Sequence, residues 1–146
     1  MRIVVQRVKN AQVEVENKIV GKIEKGFLVL VGITHTDGKE EADYLAKKLC
    51  NLRVFEDENE KMNLNLKQVN GKLLIVSQFT LYANCKDGNR PSFVEAASSD
   101  KAEKLYDYFC NQCIENYGIE TEKGIFGADM QVKLQNDGPV TIILEK

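Results

Sequence analysis

The chain has 146 residues, of which 43% are hydrophobic and 29% are charged, proportions that are typical of one soluble globular domain. Its 20 basic and 22 acidic residues give a formal charge of −2, which excludes the overall positive field of a protein that coats nucleic acid. No apolar run approaches the ~18 residues of a membrane span, and charges interrupt the short apolar run at the N-terminus, so we expect an untargeted cytoplasmic protein that contacts no membrane.

Apolar patterns predict four strands at the start of the chain. Residues 2–8 alternate and predict the first strand, whereas residues 12–16 and 18–24 predict a hairpin that turns at Asn17. Residues 27–33 are continuously apolar, which is typical of a central strand covered on both faces.

Two stretches have apolar residues at helical spacing. The first is residues 39–53, for which Thr36 or Asp37 is the expected N-cap. The second runs to about residue 117, behind a D-x-x-E capping pattern that starts at Asp100.

The stretch at residues 72–83 begins as a buried strand and ends with polar side chains. The period of a strand would send Ser77 and Phe79 to one side and Gln78 and Thr80 to the other. Polar groups at this position must find partners or face a cleft. Both interpretations remain open on the residues alone: a strand end that satisfies its own edge, or a site.

The last part of the chain predicts three short strands, at residues 119–122, 130–134 and 140–144, with glycine-bearing turns at 124–127 and 136–139. Proline at a strand entrance donates no ladder bond, and the glycine before it permits unusual backbone angles. An ordinary turn has the same composition, and only about 5–6% of X-Pro bonds are cis, so the sequence alone does not predict a cis bond here.

The predicted strands are clustered before, between and after two helices rather than alternating strictly with them, which predicts a mixed α+β single domain over residues 1–146. We expect a β/β/α layered arrangement with mixed sheets and two main helices on one side.

A polar loop at residues 84–97 is long for a simple connection, which favours a functional role. On this loop Lys86 and Arg90 are candidate phosphate contacts, although Arg90 is equally suited to anchor its own loop.

The residue inventory excludes most standard catalytic and metal sites. His35 is the only histidine and is expected on the surface, so we predict no metal and no cofactor. The four cysteines are expected to be free thiols, and the C-x-x-C pair of Cys110 and Cys113 lies inside a predicted helix, which favours core packing. The G-x-S-x-G, G-x-x-x-x-G-K and G-x-G-x-x-G motifs are missing. An enzyme with this inventory is expected to act on an activated substrate, with backbone N–H groups stabilising an oxyanion.

Five stretches resemble the D-aminoacyl-tRNA deacylases and together span nearly the whole chain. They are R-x-V-x-Q-R-V at 2–8, SQFTL at 77–81, G-x-R-P-S-F at 88–93, FGADM at 126–130 and NDGPVT at 136–141. The resemblance implies a homodimeric hydrolase that binds the acceptor end of aminoacyl-tRNA. Its implied reaction is cleavage of the ester that joins a D-amino acid, or glycine mischarged on tRNA-Ala, to the terminal adenosine.

The same resemblance implies a catalytic site at the SQFTL stretch, lined by Ser77, Gln78, Phe79 and Thr80. Backbone N–H groups near Phe79 and Thr80 would hold the oxyanion while the ribose 2′-hydroxyl assists. Thr80 is also a candidate nucleophile, but no basic residue in the sequence is an evident activator for it, so we expect it to position substrate.

The resemblance further implies a chiral gate made by Gly138 and Pro139. A cis peptide bond between them would enter the partner subunit's pocket and exclude an L side chain by its backbone. Arg7 matches the arginine that helps to fix this motif. Phe126 and Met130 match positions at the adenosine end of the site.

Two features differ from what the resemblance would lead us to expect. Glu60 stands where many relatives have glycine, so we expect Asn59 to take the left-handed position of that turn. The acidic charge balance is compatible with a tRNA substrate only if the enzyme holds the acceptor end through few phosphates.

Two alternative functions remain. One is a non-catalytic RNA-end or DNA-associated binding module on the same fold, and the other is an esterase for small esters. The intact SQFTL and NDGPVT stretches favour the deacylase, because a pure binding module would need neither.

Overall fold

A computed structural model describes residues 1–86 and 88–146. Its strands are β1 (Arg2–Val15), β2 (Lys18–Ile23), β3 (Gly26–Gly32), β4 (Phe55–Glu56), β5 (Met62–Leu64), β6 (Lys72–Ser77), β7 (Thr121–Lys123) and β8 (Gln131–Glu145). Its helices are α1 (Lys39–Cys50) and α2 (Ser99–Glu115), with short 3-10 helices at Lys67–Val69 and Phe79–Tyr82.

The main sheet is organised around β1, which pairs along both edges. The strand order is β2-β1-β3-β6-β7, and β8 lies on the other edge of β1. The β3–β6 and β6–β7 pairs are parallel, and the pairs made by β1 are antiparallel. The sheet curls until β2 meets β6 and β7, since a Cβ added at Gly21 would lie 3.0 Å from Leu74 Cδ1 and from the Lys123 carbonyl oxygen. The predicted mixed α+β single domain is confirmed, with a nearly closed mixed sheet and two helices.

Alternation along the strands builds two apolar cores. In β3, Phe27 and Val29 belong to the core between the sheet and the helices, whereas Leu28 belongs to the core inside the curl. Both helices contribute their apolar faces to the first core, as their spacing predicts. The helical residues in it include Ala42, Leu45, Leu49, Ala102, Leu105, Phe109 and Cys113.

The first two predicted strands are one continuous strand, β1. Asn10 favours a turn, but it pairs with Gln135, and both halves of β1 pair with β8. The hairpin at Asn17 is as predicted: Glu16 and Asn17 have φ of 50° and 62°, the left-handed pair of a two-residue turn that suits twisted strands.

The last two predicted strands are likewise one strand, β8. Gln6 of β1 pairs with Thr141 and Val8 pairs with Asn136, so residues 137–140 lie opposite Arg7 alone. The NDGP stretch is therefore a bulge within a strand and not a connecting turn. The peptide bond between Gly138 and Pro139 is cis.

The predicted N-caps were wrong by one or two residues. Gly38 caps α1, and its N–H donates to the Glu41 carboxylate over 2.9 Å. Asp37 is buried and instead accepts hydrogen bonds from the Met1 ammonium at 2.5 Å and the Thr34 N–H at 2.7 Å. The N-cap of α2 is Ser98. None of the described helices is long and apolar enough to cross a membrane.

The turn before β5 also differs from expectation, because Glu60 itself adopts the left-handed conformation with φ of 59°. Asp57 makes this turn possible: its carboxylate accepts the N–H groups of Asn59 and Lys61. A hydrogen bond from the Asn63 amide, together with these two, holds the pKa of the Asp57 carboxyl below its usual range. A side-chain acceptor thus compensates for the missing glycine.

Cys110 and Cys113 are buried, as the core-packing interpretation predicts; Cys50 is also buried, and Cys85 is exposed. Burial raises the pKa of Cys110 to about 12. A hydrogen bond with Cys50, together with burial, raises the pKa of Cys113. Because the thiolate is the reactive form, these thiols stay unreactive at neutral pH.

We therefore predict that the folded protein exposes one rapidly reacting thiol near pH 8, that of Cys85. A disulfide exchange reagent should titrate one thiol per chain in buffer and four in strong denaturant. A Cys85→Ser variant is the control and should show no fast phase. Fast reaction of two or more thiols in a protein that keeps its circular dichroism spectrum would contradict the buried assignment.

Candidate active site

A cleft of about 520 Å³ opens at the carboxyl ends of β3 and β6. The end of β6 and the 3-10 helix after it supply one wall, through Ser77, Gln78 and Phe79. Ligands often bind beyond the carboxyl ends of parallel strands, where loops rather than paired backbone meet the ligand. The predicted site residues of the SQFTL stretch other than Thr80 therefore line one cavity.

The backbone changes direction at Gln78, contrary to the predicted strand alternation through residue 81. β6 ends at Ser77, and the chain turns into the 3-10 helix Phe79–Tyr82, in which the Leu81 N–H donates to the Gln78 carbonyl over 3.2 Å. The first N–H groups of a helix have no acceptor within it. The turn thus leaves the N–H groups of Phe79 and Thr80 without an acceptor inside the 3-10 helix, next to the cleft that Phe79 lines.

Thr80 lies on the rim and not among the lining residues. Its hydroxyl oxygen accepts a hydrogen bond from the Gln78 amide over 2.6 Å. Within the described part of the chain, no basic side chain is hydrogen-bonded to this hydroxyl. The geometry offers Thr80 a partner that orients it but no group that would remove its proton.

The opposite wall comes from the segment between β7 and β8 and contains Phe126, Gly127, Ala128 and Met130. Phe126 also packs against the buried Tyr106, with ring centroids 5.9 Å apart. Met130 lies so close to Gly124 that an added Cβ would come within 2.6 Å of its sulfur. A side chain at position 124 would therefore require Met130 to move.

A third wall was missed by the sequence reasoning. Phe93, Ala96, Ala97, Ser99 and Ala102 line it, from the segment before α2 and its first turns. The Phe93 ring meets the Phe79 ring edge-on, with centroids 5.1 Å apart. The usable signal was the phenylalanine that ends the G-x-R-P-S-F stretch in a long polar loop.

Arg7, Gly138 and Pro139 do not line this cleft. Arg7 is buried beneath the bulge of β8, where its Nε donates to the Asp137 carbonyl over 2.9 Å and its Nη1 donates to the Val54 carbonyl over 2.5 Å. The structure thus brings together two groups of the predicted residues: Ser77, Gln78, Phe79, Phe126 and Met130 at the cleft, and Arg7, Gly138 and Pro139 at the bulge.

The chemistry available in the cleft is that of neutral groups. No charged side chain occurs among its described lining residues, and the polar members are Ser77, Gln78 and Ser99. Burial raises the pKa of the nearby Tyr82 to about 12, so its hydroxyl stays protonated at neutral pH. Across residues 1–86 and 88–146, no group of three or more His, Cys, Asp or Glu side chains is placed to hold a metal ion. The arrangement suits an apolar ligand whose reacting carbonyl meets backbone N–H groups.

Comparison with known proteins gives a consistent result over the whole chain. Residues 4–145 match the family model described as D-Tyr-tRNA(Tyr) deacylase. A D-aminoacyl-tRNA deacylase from Thermosipho africanus is 61% identical over 145 residues, which cover 99% of this chain and 97% of the relative. A protein of the same name from Fusobacterium nucleatum is 58% identical, with 99% and 95% covered.

Two solved structures are similar to this fold. That of the c-Myc DNA Unwinding Element Binding Protein has a TM-score of 0.94 at 42% identity and covers 100% of this chain and 99% of its own. That of a probable eukaryotic D-amino acid tRNA deacylase has a TM-score of 0.84 with 99% and 98% covered, and at 18% identity it supports the fold alone.

Proposed function

The chain belongs to the D-Tyr-tRNA(Tyr) deacylase family and is a hydrolase of aminoacyl-tRNA esters, and we propose that it releases D-amino acids from tRNA while a gate at Gly138 and Pro139 rejects L-aminoacyl esters. The acceptor end of the tRNA is the proposed partner, and the cytoplasm is the proposed location.

The observation that supports this proposal is the turn at Gln78, which leaves the N–H groups of Phe79 and Thr80 without an acceptor inside the 3-10 helix, beside a cleft whose described lining residues carry no charge. An aminoacyl ester is already activated and needs no strong acid or base, whereas its tetrahedral intermediate develops an oxyanion. The N–H groups of Phe79 and Thr80 hold that oxyanion in our proposal. The terminal adenosine packs on Phe126 and Met130, and the ribose 2′-hydroxyl assists.

The gate requires a second copy of the chain. Gly138 and Pro139 lie outside the cleft of their own chain, so they could reach a cleft only in a homodimer. A gate made of backbone atoms distinguishes D- from L-aminoacyl groups by steric exclusion, and this exclusion does not depend on which side chain the amino acid carries. Sedimentation of the wild-type chain tests this element, because a strictly monomeric, fully active protein would contradict it.

Glycine is part of the proposed substrate range for the same steric reason. A gate that excludes an L side chain has nothing to exclude in an achiral amino acid. We therefore propose that the enzyme also hydrolyses glycine mischarged on tRNA-Ala.

The test of the function is a deacylation time course on one tRNA charged separately with D- and L-tyrosine. Loss of the D-ester alone is the expected result. Equal loss of both esters would retain an esterase but contradict the gate. Loss of neither, with binding to RNA ends or to DNA, would instead favour a binding module. The solved structure that is 42% identical carries the name of a DNA unwinding element binding protein.

Replacing Thr80 with alanine tests its proposed positioning role. Because the hydroxyl is hydrogen-bonded to Gln78 and has no activator, we expect single-turnover rates to fall by about tenfold or less. A Thr80→Ser variant keeps the hydroxyl and should behave like wild type. Complete loss of single-turnover activity in a folded Thr80→Ala protein would identify Thr80 as a nucleophile instead.

A further inference from the structure

The G-x-R-P-S-F stretch has no role in the function proposed above, yet it leads directly into a wall of the cleft. Residues 93–97, which we call the strap, connect this stretch to the N-cap of α2. Just before the strap, Asn84 and Ser92 exchange two backbone hydrogen bonds of 2.8 and 2.9 Å. The strap is therefore held at both ends, by this bridge and by the helix.

Three hydrogen bonds also hold the strap along its length, all to the segment that follows β3. The Ala97 N–H donates to the Ile33 carbonyl over 2.9 Å, and the Thr34 hydroxyl donates to the Glu95 carbonyl over 2.5 Å. The third bond joins His35 Nε2 to the Val94 carbonyl over 2.7 Å. Two of the three therefore use side chains, those of Thr34 and His35.

His35 is well placed for this contact although its side chain is exposed. A carbonyl only accepts, so Nε2 must carry the hydrogen and donate it. The backbone carbonyl of His35 in turn accepts a hydrogen bond from Lys101 Nζ in α2. The histidine thus ties the strap to α2 and to the end of β3 at one point.

The strap places apolar groups at the mouth of the cleft. Phe93 lines the cavity with 38% of its surface exposed and meets Phe79, which is 57% exposed. Ala96 and Ala97 continue the wall inward. The hydrogen bonds of the strap therefore fix the position of Phe93 relative to the 3-10 helix Phe79–Tyr82.

We propose that His35 is a positioning residue that holds the strap as a preformed wall of the substrate cleft, and that it contributes to binding of the aminoacylated acceptor end rather than to cleavage of the ester. This inference rests on the proposed function. If the strap loosens, only a fraction of the molecules present the bound geometry, and the apparent affinity falls by that fraction. The bound substrate then reacts at its usual rate.

The strap itself can be observed without substrate because the chain contains no tryptophan. A Phe93→Trp variant carries a single fluorophore at the cleft mouth. Adding His35→Leu to it is expected to increase quenching by acrylamide and to lower the anisotropy. Adding His35→Gln is expected to change neither, since the glutamine amide can donate from nearly the position of Nε2.

The kinetic test uses the wild-type Phe93 background. His35→Leu is expected to raise KM for D-tyrosyl-tRNA by about fivefold with kcat within about twofold, the size of one neutral hydrogen bond. His35→Gln should restore KM. Thr34→Val removes the neighbouring side-chain bond and should raise KM in the same way, so it supplies a second variant if His35→Leu folds poorly.

Several results would overturn the inference. They are an unchanged KM in both His35→Leu and Thr34→Val together with unchanged quenching on adding His35→Leu, a fall in kcat at constant KM, or a glutamine variant that behaves like the leucine variant. If the wild-type protein hydrolyses no D-ester, the proposed function and the KM role fail together. The fluorescence result would still show whether His35 holds the strap.

Discussion

Replacing Gly138 with alanine is expected to lower kcat/KM for D-tyrosyl-tRNA by about 100-fold or more while the chain stays folded. Gly138 has a φ of +127°, which L side chains rarely adopt. An added Cβ would lie 2.9 Å from Arg7 Nη2 and 3.2 Å from the Val140 backbone nitrogen. The bulge must therefore shift, at a cost of about 1–3 kcal/mol, which a domain of this size can absorb.

The matched control is Gly118→Ala. Gly118 also has a positive φ, +65°, but no atom lies within 4 Å of the added Cβ. This variant should lose about 1 kcal/mol of unfolding free energy and keep its activity. Deacylation by Gly138→Ala at more than a third of the wild-type rate would show that the position of the bulge is not important for catalysis.

Sequence patterns predict the observed strands and helices wherever local preference and tertiary pairing favour the same structure. The continuous apolar run in β3 and the helical spacing in α1 predict the observed elements because burial alone decides them. The NDGP stretch shows the opposite case. Its residues favour a turn, but β1 continues to pair on both sides of it, so the same residues form a bulge.

The end of β6 was mispredicted for a similar reason. Phe79, Thr80 and Tyr82 all favour strands, so propensity extends β6 through residue 81. The partner strand decides otherwise: the last β3–β6 pair joins Val31 to Ser77. The chain then crosses Gly32, where an added Cβ would lie 2.8 Å from Leu81 Cβ. Only the absence of a side chain at position 32 leaves room for the 3-10 turn. The periodicity of the sequence contains no information about this contact between Gly32 and Leu81.

The sequence could indicate which residues belong to the candidate site, but not how they are arranged in space. The resemblance placed Ser77 and Phe126 in one site, and the structure puts both in one cleft. The strap wall with Phe93 was missed because its hydrogen bonds to the Ile33 carbonyl and the Thr34 hydroxyl join residues about 60 positions apart. Periodicity carries no information about such contacts.

A conservative change at Arg7 is expected to have an effect as large as that at Gly138, but through stability as well as activity. The Arg7 side chain is 7% exposed and donates in two directions, from Nε to the Asp137 carbonyl and from Nη1 to the Val54 carbonyl. The single ammonium of lysine cannot replace both donors, so at least one buried carbonyl loses its partner.

Arg7→Lys is therefore expected to lower the unfolding free energy by about 2–3 kcal/mol and kcat/KM for D-tyrosyl-tRNA by about 100-fold, because the bulge loses its support from the β4–β5 side. Denaturant unfolding and deacylation rates measure the two effects. Arg53→Lys is the matched control, since Arg53 also donates to a carbonyl, that of Asn63 at 2.7 Å, but is exposed. The Arg53→Lys substitution should lower the free energy of unfolding by less than about 1 kcal/mol and leave the deacylation rate unchanged. If both lysine variants behave alike, Arg7 is not the brace of the bulge, and the position of Gly138 and Pro139 must be set by the β8 backbone itself.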